Sequence, residues 1–250
     1  MFKPVHNPEA LPDTGALFVE TQWSLVLAAV DGLSARGEEA LAQLCRTYWY
    51  PLHAFVRRRG HAPHEAQDLT QSFFAQVFEN RTFQNVDRTQ GRFRSLLLAA
   101  LTNFLNNEWH KQRTLKRGGG CQLVSWDAVT AEEHYRHEPA DHITPEKLFE
   151  RRWAFIILER VAANLKREYT ASDKGAVFDA LHPFLSAEPG PGAYADAAAT
   201  LGTSESALRV ALHRLRRRFG EMLRREIGRT VSSPAEVDDE IRHLFAAVGE

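Results

Sequence analysis

The sequence predicts an all-α protein. Three observations carry that expectation. Apolar residues recur at three- and four-residue spacing along most of the chain, and no segment alternates with the two-residue period of a half-buried strand. Pro63, Thr144-Pro145 and Ser233-Pro234 put a proline or a capping residue where a first helical turn accepts one. Gly60, the run 118–120 and Gly202 fall between the periodic segments and punctuate them.

Residues 1–22 contain proline and show no period, as a loose lead would. The first periodic segment aligns Leu41, Leu44, Cys45, Tyr48, Leu52, Phe55 and Val56, with Pro51 expected to kink it and Gly60 to end it. Pro63 opens a second helix. Its Leu69, Phe73 and Val77 stand at i, i+4 and i+8, a row that faces a core, and Asp68, Gln71 and Ser72 lie off that row. After a loop over 81–91, a third helix carries Phe93, Leu97, Ala100, Leu101 and Phe104 on one face. Thr102, Asn103, Asn106, Asn107 and His110 occupy the other. These helices define a first unit over 23–117. Residues 118–143, with glycine, mixed charge and no period, read as a flexible linker.

A second unit spans 144–228. Thr144 caps a long helix with Trp153, Ile156, Ile157, Val161 and Leu165 on one side, and another is expected from about Ser172 through Val177, Leu181 and Leu185. A break at 186–193 precedes a short alanine-rich helix, a turn at Gly202 and a helix capped by Ser204, the layout of a helix-turn-helix over 194–218. Ala195, Ala198 and Ala199 are small enough for close helix packing, and Leu208, Leu212 and Leu215 are expected in the core. Ser204, Glu205, Ser206 and Arg209 then stand at the end that enters a major groove, with His213, Arg214, Arg217 and Arg218 following as phosphate contacts. Residues 229–250 form a C-terminal amphipathic helix whose stripe of Val237, Ile241, Leu244, Phe245 and Val248 packs on the protein itself. The acids at 236–240 are expected in solvent.

The net charge of −1 conceals its distribution. Trp109–Trp126 holds four basic residues (Lys111, Arg113, Lys116, Arg117) and no acid, and Arg209–Arg229 holds eight arginines against two glutamates. Two basic islands on separate helices suit a polyanion bound at two places. Trp109, beside the first island, has a face on which an unstacked base can lie. The asparagines before it carry amides suited to bases or backbone.

Other chemistry is poorly supplied. Cys45 and Cys121 form no CxxC pair, and His134, His137 and His142 lie in the unpatterned segment without structural-zinc spacing, so neither metal nor cofactor is expected. The glycines at 118–120 continue as Cys-Gln, which breaks a phosphate loop, and no GxSxG or HExxH occurs. An enzyme is not expected. No run reaches the length of a membrane span and the first residues lack an apolar signal core, which points to the cytoplasm and to no membrane partner.

Three segments bear a closer resemblance, in one order. Asp68, Leu69, Gln71 and Phe74 match an "aspartate-leucine-x-glutamine-x-x-phenylalanine" core. Phe93, Arg94, Leu96 and Asn103 fall in step with a helix that begins Phe-Arg and ends in basic residues. LGTSESALRVALHRLRRRF resembles a promoter-reading helix-turn-helix. Together they resemble the sigma-70 family of bacterial RNA polymerase factors, in its compact extracytoplasmic-function group. The resemblance implies two helical domains and no catalysis. It implies that Asp68, Leu69, Gln71 and Phe74 bind core RNA polymerase. It assigns Asn103, Asn106, Asn107, Trp109, Lys111, Arg113, Lys116 and Arg117 to melted −10 promoter DNA, and Ser204 through Arg218 to the −35 element. An anti-sigma factor is a further partner that such proteins can have. The chain departs from the pattern at Ser95, where relatives carry tryptophan, and at Ala211, where many carry a basic residue; 170–193 and the tail after 228 are additions. Two other readings stay open: a helix-turn-helix regulator that never touches polymerase, and a helical protein whose basic faces bind acidic partners.

Overall fold

The computed structural model describes residues 35–79, 92–114, 132, 133, 135, 136, 143–186, 190 and 192–249, all of them in helices or the turns between. The helices in order are α1 (Ala35–Arg58), α2 (Pro63–Glu79), α3 (Phe93–Thr114), α4 (Pro145–Ala171), α5 (Gly175–Leu181), α6 (Ala193–Thr200), α7 (Glu205–Gly228) and α8 (Val237–Gly249). Single 3-10 turns at His182–Phe184 and Pro234–Glu236 follow α5 and precede α8.

Local signals set most of the boundaries. α1 continues through Pro51 and stops at Arg58, with Gly60 left-handed at φ +96°. Thr144 Oγ1 accepts the N–H of Lys147 at 3.3 Å and caps α4, with Pro145 in the first turn. Glu236 reaches back to accept the N–H groups of Ser232 (3.1 Å) and Ser233 (3.2 Å), which fixes the entry to α8. The helix expected near Ser172 begins instead at Gly175. The N–H of Ser172 bonds the carbonyl of Tyr169, and Asp173 turns left-handed at φ +57°, so these residues terminate α4.

Two hydrophobic cores result. The larger gathers Tyr48, Leu52 and Phe55 of α1, Leu69 and Phe73 of α2, and Phe93, Leu97 and Leu101 of α3. The same core includes Trp153, Ile157 and Val161 of α4, Leu223 and Ile227 of α7, and Leu244 of α8. The smaller holds Leu165 of α4, Phe178 and Leu181 of α5, and Leu208, Leu212 and Leu215 of α7. Phe219 and Met222 pack against both.

Most of 118–143, where the sequence places a flexible linker between two units, lies outside the described residues. Helices from both sides of that segment share the larger core, and α4 and α7 each run from one core into the other. The reason lies in α4. It buries apolar residues from Leu148 to Leu165, and one apolar face can be covered by different neighbours along its length. Part of the intervening segment is docked as well. Arg57 donates to both carboxylate oxygens of Glu132 (2.9 and 3.0 Å) and lies 4.7 Å from the Tyr135 ring centroid. Polar ties reinforce the junction. Arg160 of α4 donates to Thr47 Oγ1 of α1 (2.9 Å) and pairs with Glu226 of α7 (2.7 Å).

Burial alters the titration of Cys45 and His53. It pushes the Cys45 thiol up to about 11, the state of an inert core cysteine. It pushes His53 down to about 4, against a smaller opposing pull from Glu132, and the imidazole stacks on Trp49 at 5.1 Å. The unfolded chain therefore binds a proton at this residue between about pH 6.5 and 4 that the folded chain does not. His53 stays neutral at no cost above pH 6.5, and stability should fall by about 2–3 kcal/mol as pH drops through that window. Urea titrations at pH 7 and pH 4.5 measure the loss, which His53→Gln should reduce. An unchanged slope in that variant would assign the acid sensitivity to other residues.

Candidate nucleic-acid interface

The helix-turn-helix is built as its sequence suggests. At the end of α6 the N–H of Thr203 bonds the carbonyl of Ala198 (2.9 Å) and that of Gly202 bonds Ala199 (3.2 Å), with Gly202 at φ +59°. Ser204 then stands extended and its Oγ accepts the N–H of Ala207 at 3.3 Å, which starts α7. Leu208, Leu212 and Leu215 enter the smaller core as expected. The alanines divide differently: Ala198 is buried and Ala197 packs on the core, but Ala195 and Ala199 are exposed. The apolar row of α6 runs one residue off the expected one.

The outward side of α7 is polar. Glu205, Ser206, Arg209, His213, Arg214 and Arg217 are all exposed, as is the capping Ser204. Arg209 is held in place: its guanidinium lies 4.2 Å from the ring centroid of Tyr194 on α6 and 3.7 Å from Glu205. Tyr194 was not among the residues the sequence singled out, and its place at the start of α6, one turn from the break, is the available signal. Arg214 has no ion pair among the described residues.

The rest of the arginine run is engaged inside the protein. Arg218 forms a two-pronged pair with Glu168 of α4 (2.8 and 2.7 Å) and also meets Glu221 (3.2 Å). The hydrogen bond from Arg218 holds the Glu168 carboxyl below the usual carboxylate range. Arg216 donates to the carbonyl of Phe184 at 2.7 Å, and Arg217 meets Glu221 at 3.0 Å. Arg218 is thus an anchor between α4 and α7. The sequence placed Arg218 among the phosphate contacts; its side chain is 34% exposed and its partner Glu168 lies fifty residues away in sequence, which nothing local ties to it.

On α3, Asn103, Asn106 and Asn107 are exposed, whereas Leu97, Leu101, Phe104 and Leu105 are buried behind them. Trp109 is 55% exposed, which favours a surface role over a core one. Lys111 and Arg113 continue the helix, and their side chains lie outside the described residues, as do Lys116 and Arg117 entirely. The stretch 91–117 is therefore represented by its asparagine face.

Of the four residues matched on α2, two face outward. Asp68 is exposed and Gln71 half-buried. Leu69 and Phe74 are buried and hold α2 in the core. Phe73 beside them packs against Phe104 of α3 at 5.7 Å. The start of α3 brings a second surprise. Arg94 is buried and paired with Glu240 of α8, itself fully buried, and its guanidinium lies 4.7 Å from the Trp153 ring centroid. Arg92 meets the same carboxylate at 2.6 Å. The expectation that all the acids at 236–240 lie in solvent fails at Glu240. It stands three residues after Val237 and four before Leu244, within the apolar stripe of α8, and the stripe carries it inside.

Among the described residues no group of three or more His, Cys, Asp or Glu side chains is placed to hold a metal ion, and no helix is long and apolar enough to cross a membrane. Comparison with protein-family models, with curated proteins and with solved structures finds no match to this chain.

Proposed function

We propose that this chain is a sigma-type initiation factor: it binds core RNA polymerase and directs it to promoter DNA, without bond-making of its own. The observation that carries the proposal is the outward side of α7. Ser206, Arg209, His213 and Arg214 stand exposed over the first three turns of a capped helix, directly behind a glycine turn and opposite Leu208, Leu212 and Leu215. Such a helix end fits a major groove, with Arg209 presented by Tyr194 to a base edge and Arg214 to phosphate.

The resemblance around Asp68 favours an initiation factor over a plain regulator. In this reading Asp68 and Gln71 form the polymerase contact, with Leu69 and Phe74 as its support. Asn103, Asn106 and Asn107 hold a separated strand by amide hydrogen bonds, and Trp109 stacks on a base. The mechanism is positional. Duplex binding at α7 sets the register and strand capture at α3 stabilises the open form. The protein acts in the cytoplasm, where polymerase and promoter meet.

The test is a core-polymerase pull-down followed by run-off transcription from the DNA upstream of the protein's own gene. Arg209→Ala should weaken DNA binding by about 1–3 kcal/mol and leave polymerase binding intact. Asp68→Ala should do the reverse. Specific DNA binding with no polymerase association would instead support a helix-turn-helix regulator that works alone.

A further inference from the structure

One exposed residue on α7 breaks the polar pattern. Val210 is 50% exposed, and among the described residues only Trp109 and Phe245 are comparable large hydrophobics. Ser206, Val210, His213 and Arg217 stand at i, i+4, i+7 and i+11, a row along one side of the helix. Leu208, Leu212 and Leu215 occupy the opposite side, so Val210 lies at the centre of the outward face, far from any core. No other large hydrophobic of α7 is exposed, and the exposed Ala207 three residues before it adds one methyl. Its neighbours on the row are Ser206 and His213, and Arg214 stands one turn further on, all exposed.

A single branched apolar side chain among donors and cations offers a protein partner little of the apolar centre that such an interface buries. It is a good fit to duplex DNA. The surrounding cations complement phosphate. In the major groove the one apolar group that a base edge offers is the C5 methyl of thymine. We infer that Val210 packs against a thymine methyl in the major groove and makes this chain selective for thymine at one position of its site. Ser206 and His213, one turn to either side, then face the adjacent base pairs.

This inference rests on the DNA-binding reading of α7, and its test separates the two. Duplexes are enriched from a randomised pool by the full-length protein with core polymerase. Each enriched thymine is then replaced singly by uracil, which removes the methyl and leaves the hydrogen-bonding edge unchanged. At one position uracil should weaken binding by the wild type about three- to five-fold, the value of one buried methyl. Val210→Ala should bind the thymine duplex more weakly by a similar factor and should not distinguish uracil from thymine there. The DNA arm needs no altered protein, so a folding defect in the variant cannot imitate the result. An enriched site with no methyl-sensitive thymine, or equal sensitivity in wild type and variant, overturns the role of Val210 and leaves the DNA-binding reading standing. Failure to enrich any duplex overturns both.

Discussion

Glu240→Ala should lower the unfolding free energy by about 3–5 kcal/mol, the penalty for leaving a buried cation without its counter-ion. Glu240 is fully buried and faces two arginines, Arg94 at its side and Arg92 at 2.6 Å. Arg94 is nearly as deep, and its other carboxylate neighbour, Glu150, stands 3.7 Å away and is itself bonded to His243 at 2.9 Å. Burial pushes the Glu240 carboxyl up and the Arg94 guanidinium down, and each partner opposes the shift of the other. Removing Glu240 leaves Arg94 with only the more distant Glu150 to offset its desolvation. Removing both is a different experiment. Arg94→Met with Glu240→Leu should be near neutral, because two apolar side chains of similar size have no charge to desolvate. Urea unfolding of the two proteins measures this. A loss below about 1 kcal/mol in Glu240→Ala would mean that water reaches the pair and that it acts like a surface salt bridge.

The second large effect is expected at Trp153. Its side chain is 1% exposed in the larger core and lies under the Arg94 guanidinium. Trp153→Ala should cost about 3–5 kcal/mol, through the lost burial and the cavity left behind. Part of that loss is the cation–π contact, about 2 kcal/mol where water is excluded. The effects of Trp153→Ala and Glu240→Ala should therefore not add, since both act on the environment of Arg94. Measured additivity within about 0.5 kcal/mol would show that the indole supports the core without supporting the cation.

What was legible in the sequence was local. The Thr144 and Ser204 caps, the Gly202 turn and the start of α8 depend on residues within five positions of one another. Periodicity likewise placed the core-facing leucines of α7. It did not say which helix would cover which face. A stripe on α4 reads the same whether one partner or two lie on it. That is why the shared core across 118–143 was not visible. Charge was misread for a related reason. Glu240 looks like a solvated residue until its partner, Arg94, is brought beside it by the fold. The matched α2 residues show the converse. Leu69 and Phe74 recur in the pattern and pack in the core, whereas Asp68 and Gln71 of the same pattern reach the surface.

The two long helices bear on how this fold can be reused. α4 spans 27 residues and α7 spans 24, and each crosses from the smaller core into the larger. The helix-turn-helix is consequently not a cassette. Excising 194–218 would sever α7 in mid-course, part Leu223 and Ile227 from the helix that carries them into the larger core, and uncover Leu165 of α4. A chimera that carries a new outward face on α7 must therefore exchange those residues one by one and keep the inward face that joins the two cores.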